Sequence, residues 1–346
     1  MAAGYPSHSN VFIPSHEASG GLTIGFSRNP KKFKLNQYIK MVPVEKDVGY
    51  YLNITAEEAG RIINTNGSDF VWADGQKAPM GDDNLESFTY NTYRCQRYVF
   101  PFTLGAKTVA QADWKVLEVH AEIAAQKAMT YRTQNVWNQL TTSGNWSGNT
   151  SSATSLVGGY LDTSTTLTLY IKKLFRQVAE NILQATLGVV QREDLIAVMN
   201  PHTAGLISES PELVDHFKNN QFALQQVRQD APNQNGQWGL PDVLYGIKIV
   251  VEDAVKVTTK KLASSTTRGY VCPAQTIVFM SRPGGLMGSQ AIGSFSTAQV
   301  FMYSEFEVES RYDANDRLHE ARVVEDYATN VVAPAAGYYV TGATSS

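Results

Sequence analysis

Apolar and aromatic side chains alternate with polar ones over a long early stretch, and the alternation gives way to a helical period soon after. On the even parity stand Phe88, Tyr90, Tyr98, Phe100, Phe102 and Leu104, the spacing of a half-buried strand. Residues 50 to about 104 therefore predict a long hairpin arm. Between Asn64 and Leu85 the sequence is turn chemistry (NTNGSD, ADGQ, APMGDDN), so the arm has a wide tip and little local core. A lone hairpin of this kind is marginal in water. It is expected to lie on something else, and another copy of the chain is the expected support.

From Asp113, read as an N-cap, to about Leu140 the period becomes helical. Trp114, Leu117, Ala121, Ala124, Ala128 and Tyr131 form one stripe, large at its start and small in the middle, predicted to pack closely under a sheet. The 28 residues of 113–140 span about 42 Å as a helix. Residues 141–166 are rich in Gly, Ser and Thr and predict no element. A second helix is expected over 167–187 (Leu167, Ile171, Leu174, Phe175, Val178, Ile182, Leu183), closed by Gly188 as a C-cap. Buried strands are predicted at 195–200 (LIAVMN), at 246–253 after a tight turn at Gly246, and at 276–281 (TIVFMS). A helix is expected over 211–219, and 220–241 and the PGGLMG stretch read as loops.

The C-terminal part predicts β structure. Glu305, Glu307, Glu309 and Arg311 share one parity, while Phe306 and Val308 share the other and are expected in the core. DAND at 313–316 turns the chain into strands at about 317–327 and 329–340. The fold class is α+β with an antiparallel bias, and no repeat of 20–50 residues shows.

Composition adjusts this picture. The net charge of -3 offers no general basic field to nucleic acid or anionic membrane. The charged fraction, 18%, lies below the roughly 25% usual for soluble domains. Either partners cover much of the surface or the chain is simply rich in neutral polar residues. Residues 1–45 read as an extended arm carrying Lys31, Lys32 and Lys34; such a cluster is ordinarily solvated, and an acidic neighbour or inward-facing nucleic acid is its alternative partner. Cys95 and Cys272 make no CxxC and no disulfide framework, which predicts synthesis in a reducing cytosol. No secretion signal opens the chain and no apolar run approaches the ~20 residues of a membrane span. The glycosylation triplets at Asn53, Asn66, Asn145 and Asn149 are accordingly discounted.

No catalytic signature emerges. His120-x-Glu122 opens a zinc-deaminase motif but lacks the following PCxxC, and His16-Glu17 lacks the second His of HExxH. There is no GxSxG, GxGxxG or GxxxxGK[ST]. Asp82-Asp83 and Asp313-x-x-Asp316 lack the ligand count of a calcium loop and read as turn residues. Neither a metal nor a cofactor is predicted. Phe70 and Trp72, near the arm tip, read as anchors of a protein interface.

The order of these parts, together with LIAVMNPHTAGLI at 195–207 and LYGIKIVVED at 244–253, resembles the major capsid protein of tailed bacteriophages, the Hong Kong 97-type shell fold. That resemblance covers about 30–340. It implies an N-terminal arm at 1–45, an extended loop (E-loop) at 46–108 and a peripheral domain with the spine helix at 109–190. It further implies an axial domain at 191–295, with 296–346 returning to the peripheral domain. The implied function is a structural, non-enzymatic subunit. It would self-assemble into hexamers and pentamers of an icosahedral virion shell around double-stranded DNA, and be made in the host cytoplasm. Portal, scaffolding and decoration proteins are implied partners, and no membrane is. The start at Met1 points to a separate scaffold. Residues expected at assembly interfaces are Lys31, Lys32, Lys34, Phe70, Trp72, Lys77, Phe88, Tyr90, Glu305, Glu307 and Arg311. In some relatives an E-loop lysine is crosslinked to a neighbour's asparagine; Lys77 stands near the tip, but no motif marks a partner. An encapsulin-type nanocompartment shell, and an α/β enzyme with dispersed site residues, are the alternatives.

Overall fold

The computed structural model describes residues 33–54, 74, 88–112, 115–218, 238–261, 263–281 and 296–345. The chain begins with a short helix α1 (Leu35–Tyr38), strand β1 (Lys40–Pro43) and a hairpin of β2 (Val48–Ile54) with β3 (Phe88–Arg94). Strand β4 (Gln96–Gly105), helix α2 (Ala106–Gln111) and the long helix α3 (Val116–Leu140) follow. Next come β5 (Thr150–Ser152), α4 (Ala153–Val157), α5 (Tyr170–Ala185), β6 (Leu195–Met199), α6 (Pro201–Ser208) and α7 (Pro211–Lys218). Short β7 (Val243–Leu244) precedes β8 (Ile247–Val251), the ribbon of β9 (Val255–Val257) with β10 (Arg268–Tyr270), and β11 (Ile277–Ser281). Long β12 (Ala298–Asp313) and β13 (Leu318–Val331) then lead to β14 (Gly337–Thr341).

Two sheets share the long helix. The first has the order β1-β12-β13-β4, parallel between β1 and β12 and antiparallel elsewhere. Helix α3 lies over β13 and β4, where Ala124 and Ala128 admit Phe100 and Val323 into one apolar cluster. The second sheet has the order β5-β14-β11-β6-β8-β7. Its two faces serve different cores, so its central strands are apolar at every position. Ala197, Met199, Ile249, Val251, Ile277 and Phe279 face the helices α5 and α6. Ile196, Val198, Val250, Val278 and Met280 face α1, the C-terminal end of α3 and the start of β12.

The local chemistry explains most boundaries. Tyr245 and Gly246 have φ of 49° and 81°, the pair of positive values that a tight two-residue turn from β7 to β8 demands. The Gly188 N–H reaches back to the Leu183 carbonyl at 2.8 Å, closing α5 as expected. Helix α5 starts later than its apolar pattern, because Thr165 and Thr168 bond each other in an irregular turn and leave Leu167 92% exposed. The N-terminus of α5 is capped from a distance: the buried Glu212 carboxylate accepts the Ile171 and Lys172 N–H groups, both at 3.1 Å, and the Tyr245 hydroxyl at 2.8 Å. The hydroxyl of Ser164 donates to it as well.

Several expectations are corrected. Helix α6 was not foreseen, although Asn200 caps it by accepting the Thr203 N–H at 2.7 Å and Pro201 opens it. The 141–166 stretch is not structureless: Trp146 is fully buried, its indole N–H on the Leu140 carbonyl at 2.8 Å, and β5 and α4 follow it. On α3 the buried stripe runs through Ala124, Ala128, Arg132, Val136 and Leu140. Tyr131 stands at its rim, 43% exposed, with its ring 5.4 Å from that of Tyr98. Asp113 and Trp114 lie outside the described residues. The strand expected at 329–340 is two pieces in different sheets, because Pro334 breaks the chain between β13 and β14. A side chain at Gly337 would meet the Phe279 carbonyl at 2.7 Å, so only glycine lets β14 enter there.

Thr297, fully buried, sits where the sheets meet. Its carbonyl accepts the Val332 and Ala333 N–H groups at 2.9 and 3.1 Å, and its hydroxyl donates to the Ala336 carbonyl at 2.9 Å. Ser281, the last residue of β11, donates its N–H to the same hydroxyl at 2.8 Å.

Candidate assembly surfaces

The β2–β3 hairpin has two unlike faces. Tyr51 and Tyr93 turn inward and stack on Phe301, with ring centroids 5.7 and 4.5 Å away. This seats the hairpin on the side of the first sheet opposite α3. Gly49 faces Tyr93 across the hairpin, and a side chain there would collide with the Tyr93 hydroxyl at 2.4 Å. Val48, Tyr50 and Tyr90 point the other way, Tyr50 at 72% and Tyr90 at 68% exposure. The expectation that Tyr90 shares a half-buried face with Tyr98, Phe100 and Phe102 is thus corrected. The chain breaks at Cys95, whose N–H bonds the Asp47 carbonyl at 2.7 Å, and β3 leaves the plane that β4 joins. Even positions face α3 on β4 but solvent on β3.

From Glu307 to Asp313 the acidic strand keeps its parity but not its burial, while register shifts between Met302 and Glu307 interrupt the alternation before it. Val308 and Phe100 both pair with Val323, so Val308 does point to the α3 side. It is nonetheless 56% exposed, because α3 covers β13 and β4 and stops short of the distal half of β12. The side chain of Phe306 lies outside the described set. On the opposite face Arg322 pairs with Glu309, Arg311 with Glu320 at 2.6 Å, and Arg97 grips Asp326 through two nitrogens at 3.0 and 2.9 Å. Between these pairs Val99, Pro101 and Thr103 line an open groove of about 440 Å³. The exposed pairs, Arg322 with Glu309 and Arg311 with Glu320, set register and partner choice more than folding stability. Glu305 and Glu307 are exposed on the same strand.

A buried polar joint ties α3 to both sheets. Arg132 donates to Glu325, whose side chain is fully buried, and its guanidinium lies 5.7 Å from the Tyr327 ring centroid. Burial pushes the Glu325 carboxyl up, against the opposing pull of Arg132. Asn135 donates to the Tyr327 hydroxyl at 2.8 Å. Toward the second sheet, Trp137 donates to the Tyr38 hydroxyl at 3.2 Å, and Tyr38 donates to Glu252 at 2.7 Å. The other Glu252 oxygen accepts the Ala254 N–H at 3.1 Å. Burial raises the Glu252 carboxyl too. Lys34 donates to the Val251 carbonyl at 3.0 Å and stands 3.6 Å from Asp253, with its side chain only 17% exposed. It is a fastening of the arm to β8, not a free surface cation.

Lys31, Lys32, Phe70, Trp72 and Lys77 lie outside the described residues. Phe88 begins β3; Tyr90 belongs to the hairpin's open face; Glu305, Glu307 and Arg311 belong to β12. These positions do not converge on one pocket. His120 packs on Phe102 at 6.0 Å, its pKa lowered by burial and by Lys261. Among the described residues no group of His, Cys, Asp and Glu is placed to hold a metal, and no helix is long and apolar enough to cross a membrane. Sequence reading missed Arg132, Glu212, Glu252 and Glu325, because a charge on a helix or after a strand looks solvated until its distant partner is known.

No family profile and no curated protein matches the chain. Solved structures do. A phage-related protein of Bordetella bronchiseptica RB50 superimposes with a TM-score of 0.57 at 12% identity, over 94% of this chain and 97% of its own. A chain of the bacteriophage PhiM1 mature capsid gives 0.53 at 14% identity, over 92% and 88%. The capsid of cyanophage P-SCSP1u gives 0.53 at 11% identity, over 89% and 87%. The chain has the fold of this phage-related protein and of the two phage capsid chains, a mixed helix and sheet architecture followed nearly from end to end.

Proposed function

We propose that this chain is the structural subunit of an icosahedral shell of the tailed-phage type, many copies closing around double-stranded DNA. The observation that carries the reading is the likeness to the PhiM1 and P-SCSP1u capsid chains over about nine tenths of each partner. The surfaces support it. The hairpin leaves Tyr50 and Tyr90 uncovered, and β12 leaves Val308 and Tyr312 uncovered, as in a protomer whose remaining apolar contacts come from neighbours. The role is structural rather than enzymatic. Residues 1–45 act as an arm, 46–108 as the extended loop, 109–190 and 296–346 as the peripheral domain and 191–295 as the axial domain, arranged in hexamers and pentamers. The packaged DNA is held without base readout, by local cations such as Lys31 and Lys32. Portal, scaffolding and decoration proteins complete the particle, which forms in the host cytoplasm.

The test is to purify the chain and follow it by size-exclusion chromatography and negative-stain microscopy, with nuclease digestion of the particles. Closed shells or ring-shaped capsomers support the reading. A chain that stays monomeric at every concentration and salt, with or without co-expressed phage proteins, overturns it. Shells enclosing a protein cargo and no nuclease-protected DNA overturn the genome-packaging part.

A further inference from the structure

We propose that the β9–β10 ribbon and the flank of α3 beside it form a surface that grips the phosphate backbone of double-stranded DNA. This rests on the shell reading and names the part of the subunit that meets the packaged duplex. Between Ala254 and Val271 the sequence carries Lys256, Lys260, Lys261 and Arg268 and no carboxylate. The chain as a whole has a net charge of -3, so this segment reverses the sign locally and attracts polyanions.

Two contacts lay the ribbon along α3. The Lys256 ammonium donates to the Gln134 side chain at 2.6 Å. Toward the tip, burial and, after it, the charge of Lys261 lower the pKa of His120, which puts Lys261 beside the N-terminal half of the helix. His120, Lys127 and Gln134 recur every seven residues and so share one face of α3 over roughly 21 Å. Lys127 is exposed there and adds a further cation. The acidic residues of α3, Glu118 and Glu122, stand two positions either side of His120, across the helix from this strip. Among the described residues no carboxylate lies within ion-pair distance of Lys127, Lys256, Lys260, Lys261 or Arg268, whereas Arg97, Arg311 and Arg322 on the first sheet are each neutralised by one.

The chemistry of the tip selects the ligand. Residues 258–268 read TTKKLASSTTR, cations interleaved with hydroxyls, which donate to phosphate oxygens. From Ala263 to Arg268 every residue is exposed. A protein partner calls for a large apolar or aromatic anchor, but the ribbon's exposed Val255, Val257 and Tyr270 stand on its paired strands, away from the tip. Over 21 Å a duplex presents roughly a dozen phosphates, so every cation of the strip meets one without any base being read. The β2–β3 hairpin seats on the side of the first sheet opposite α3 and leaves the strip uncovered.

The experiment uses the full chain as unassembled subunits, with a short fluorescent DNA duplex of mixed sequence as the probe and anisotropy read across a salt series. Lys260→Gln with Lys261→Gln is compared with Lys172→Gln with Lys173→Gln, an equal loss of charge at exposed positions of α5. The ribbon pair should lower the slope of log affinity against log salt by about 1.8, roughly 0.9 per lysine, and weaken binding about tenfold or more near 0.1 M salt. The α5 pair should match the unmodified chain. Arg268→Gln with Lys127→Gln should repeat the ribbon result from the other side of the strip. Equal binding by the ribbon and α5 pairs overturns the proposal. Displacement of the duplex by poly-glutamate at equal charge also overturns it, in favour of an acidic protein as the occupant. Shell formation is scored separately by negative stain, so DNA-filled shells with an unresponsive ribbon sink the ribbon alone, and a chain that never assembles sinks the shell reading.

Discussion

Arg132→Met tests the buried joint most directly. It removes the cation that neutralises Glu325, a side chain with no exposed surface, and leaves a carboxylate buried between α3 and β13. Losing one partner of such a pair costs about 3–5 kcal/mol. With about 2.1 cal/mol/K of unfolding entropy per residue over 346 residues, the melting temperature should fall by roughly 4–7 °C. The sign with pH follows from the raised Glu325 carboxyl. A carboxyl whose folded value lies above its unfolded one stabilises fully below the unfolded value and loses that stability as pH rises through the folded value. Removing Arg132 raises the folded value further, so the deficit should grow as pH rises through the raised value and shrink toward pH 4.5, the ordinary value. Replacing both residues, Arg132→Met with Glu325→Leu, should recover most of the loss. The assay is denaturant unfolding of the unassembled protein at several pH values, read as a double-mutant cycle. A double variant less stable than Arg132→Met alone, or a deficit that grows on acidification, would refute the reasoning.

Glu252→Gln should flatten the fall in stability that the unmodified protein shows above about pH 4.5, since the raised Glu252 carboxyl contributes its stability at low pH and loses it as pH rises; thermal melts across pH report this. Val323→Ala, at a fully buried site, should cost about 2 kcal/mol, whereas Val308→Ala should change unfolding of the unassembled chain by less than about 0.5 kcal/mol; equal costs would mean β12 is covered by its own subunit. Glu212→Ala strips the cap from α5 and leaves buried donors unpaired, so it should destabilise by about 3 kcal/mol or more, seen as early loss of helical circular dichroism. Deleting residues 62–84 should leave a soluble, folded chain that forms no shells, and normal shells by electron microscopy would show that the arm tip is dispensable.

The architecture was legible wherever one period ran uninterrupted. LIAVMN, TIVFMS and the α5 stripe announced themselves, and Gly246 announced its turn, because glycine accepts a positive φ readily. From Glu307 on, the parity of β12 was legible too, but its burial was not, and nothing in the alternation marked the register shifts before Glu307. Periodicity says which way Val308 points, not how far a helix coded nearly two hundred residues earlier extends over it. For the same reason Tyr90 was assigned to the wrong environment, since the break between β3 and β4 at Cys95 exchanges the faces. The polar joint was invisible because Arg132 and Glu325 are 193 positions apart, and each alone reads as a surface charge.

Thr297 has a thermodynamic consequence. Hydrogen bonds from β11 and from both ends of the β13–β14 crossing end on this one residue, so neither sheet can open there without exposing donors of the other. The protomer should therefore lose both sheets in one cooperative transition, and the Ser281, Val332 and Ala333 amides should exchange with solvent only on global unfolding. A subunit stapled at its middle in this way does not bend there. In the proposed shell, differences in curvature between copies then fall on the β2–β3 hairpin and the β9–β10 ribbon, where the hydrogen bonds are local and inexpensive to rearrange.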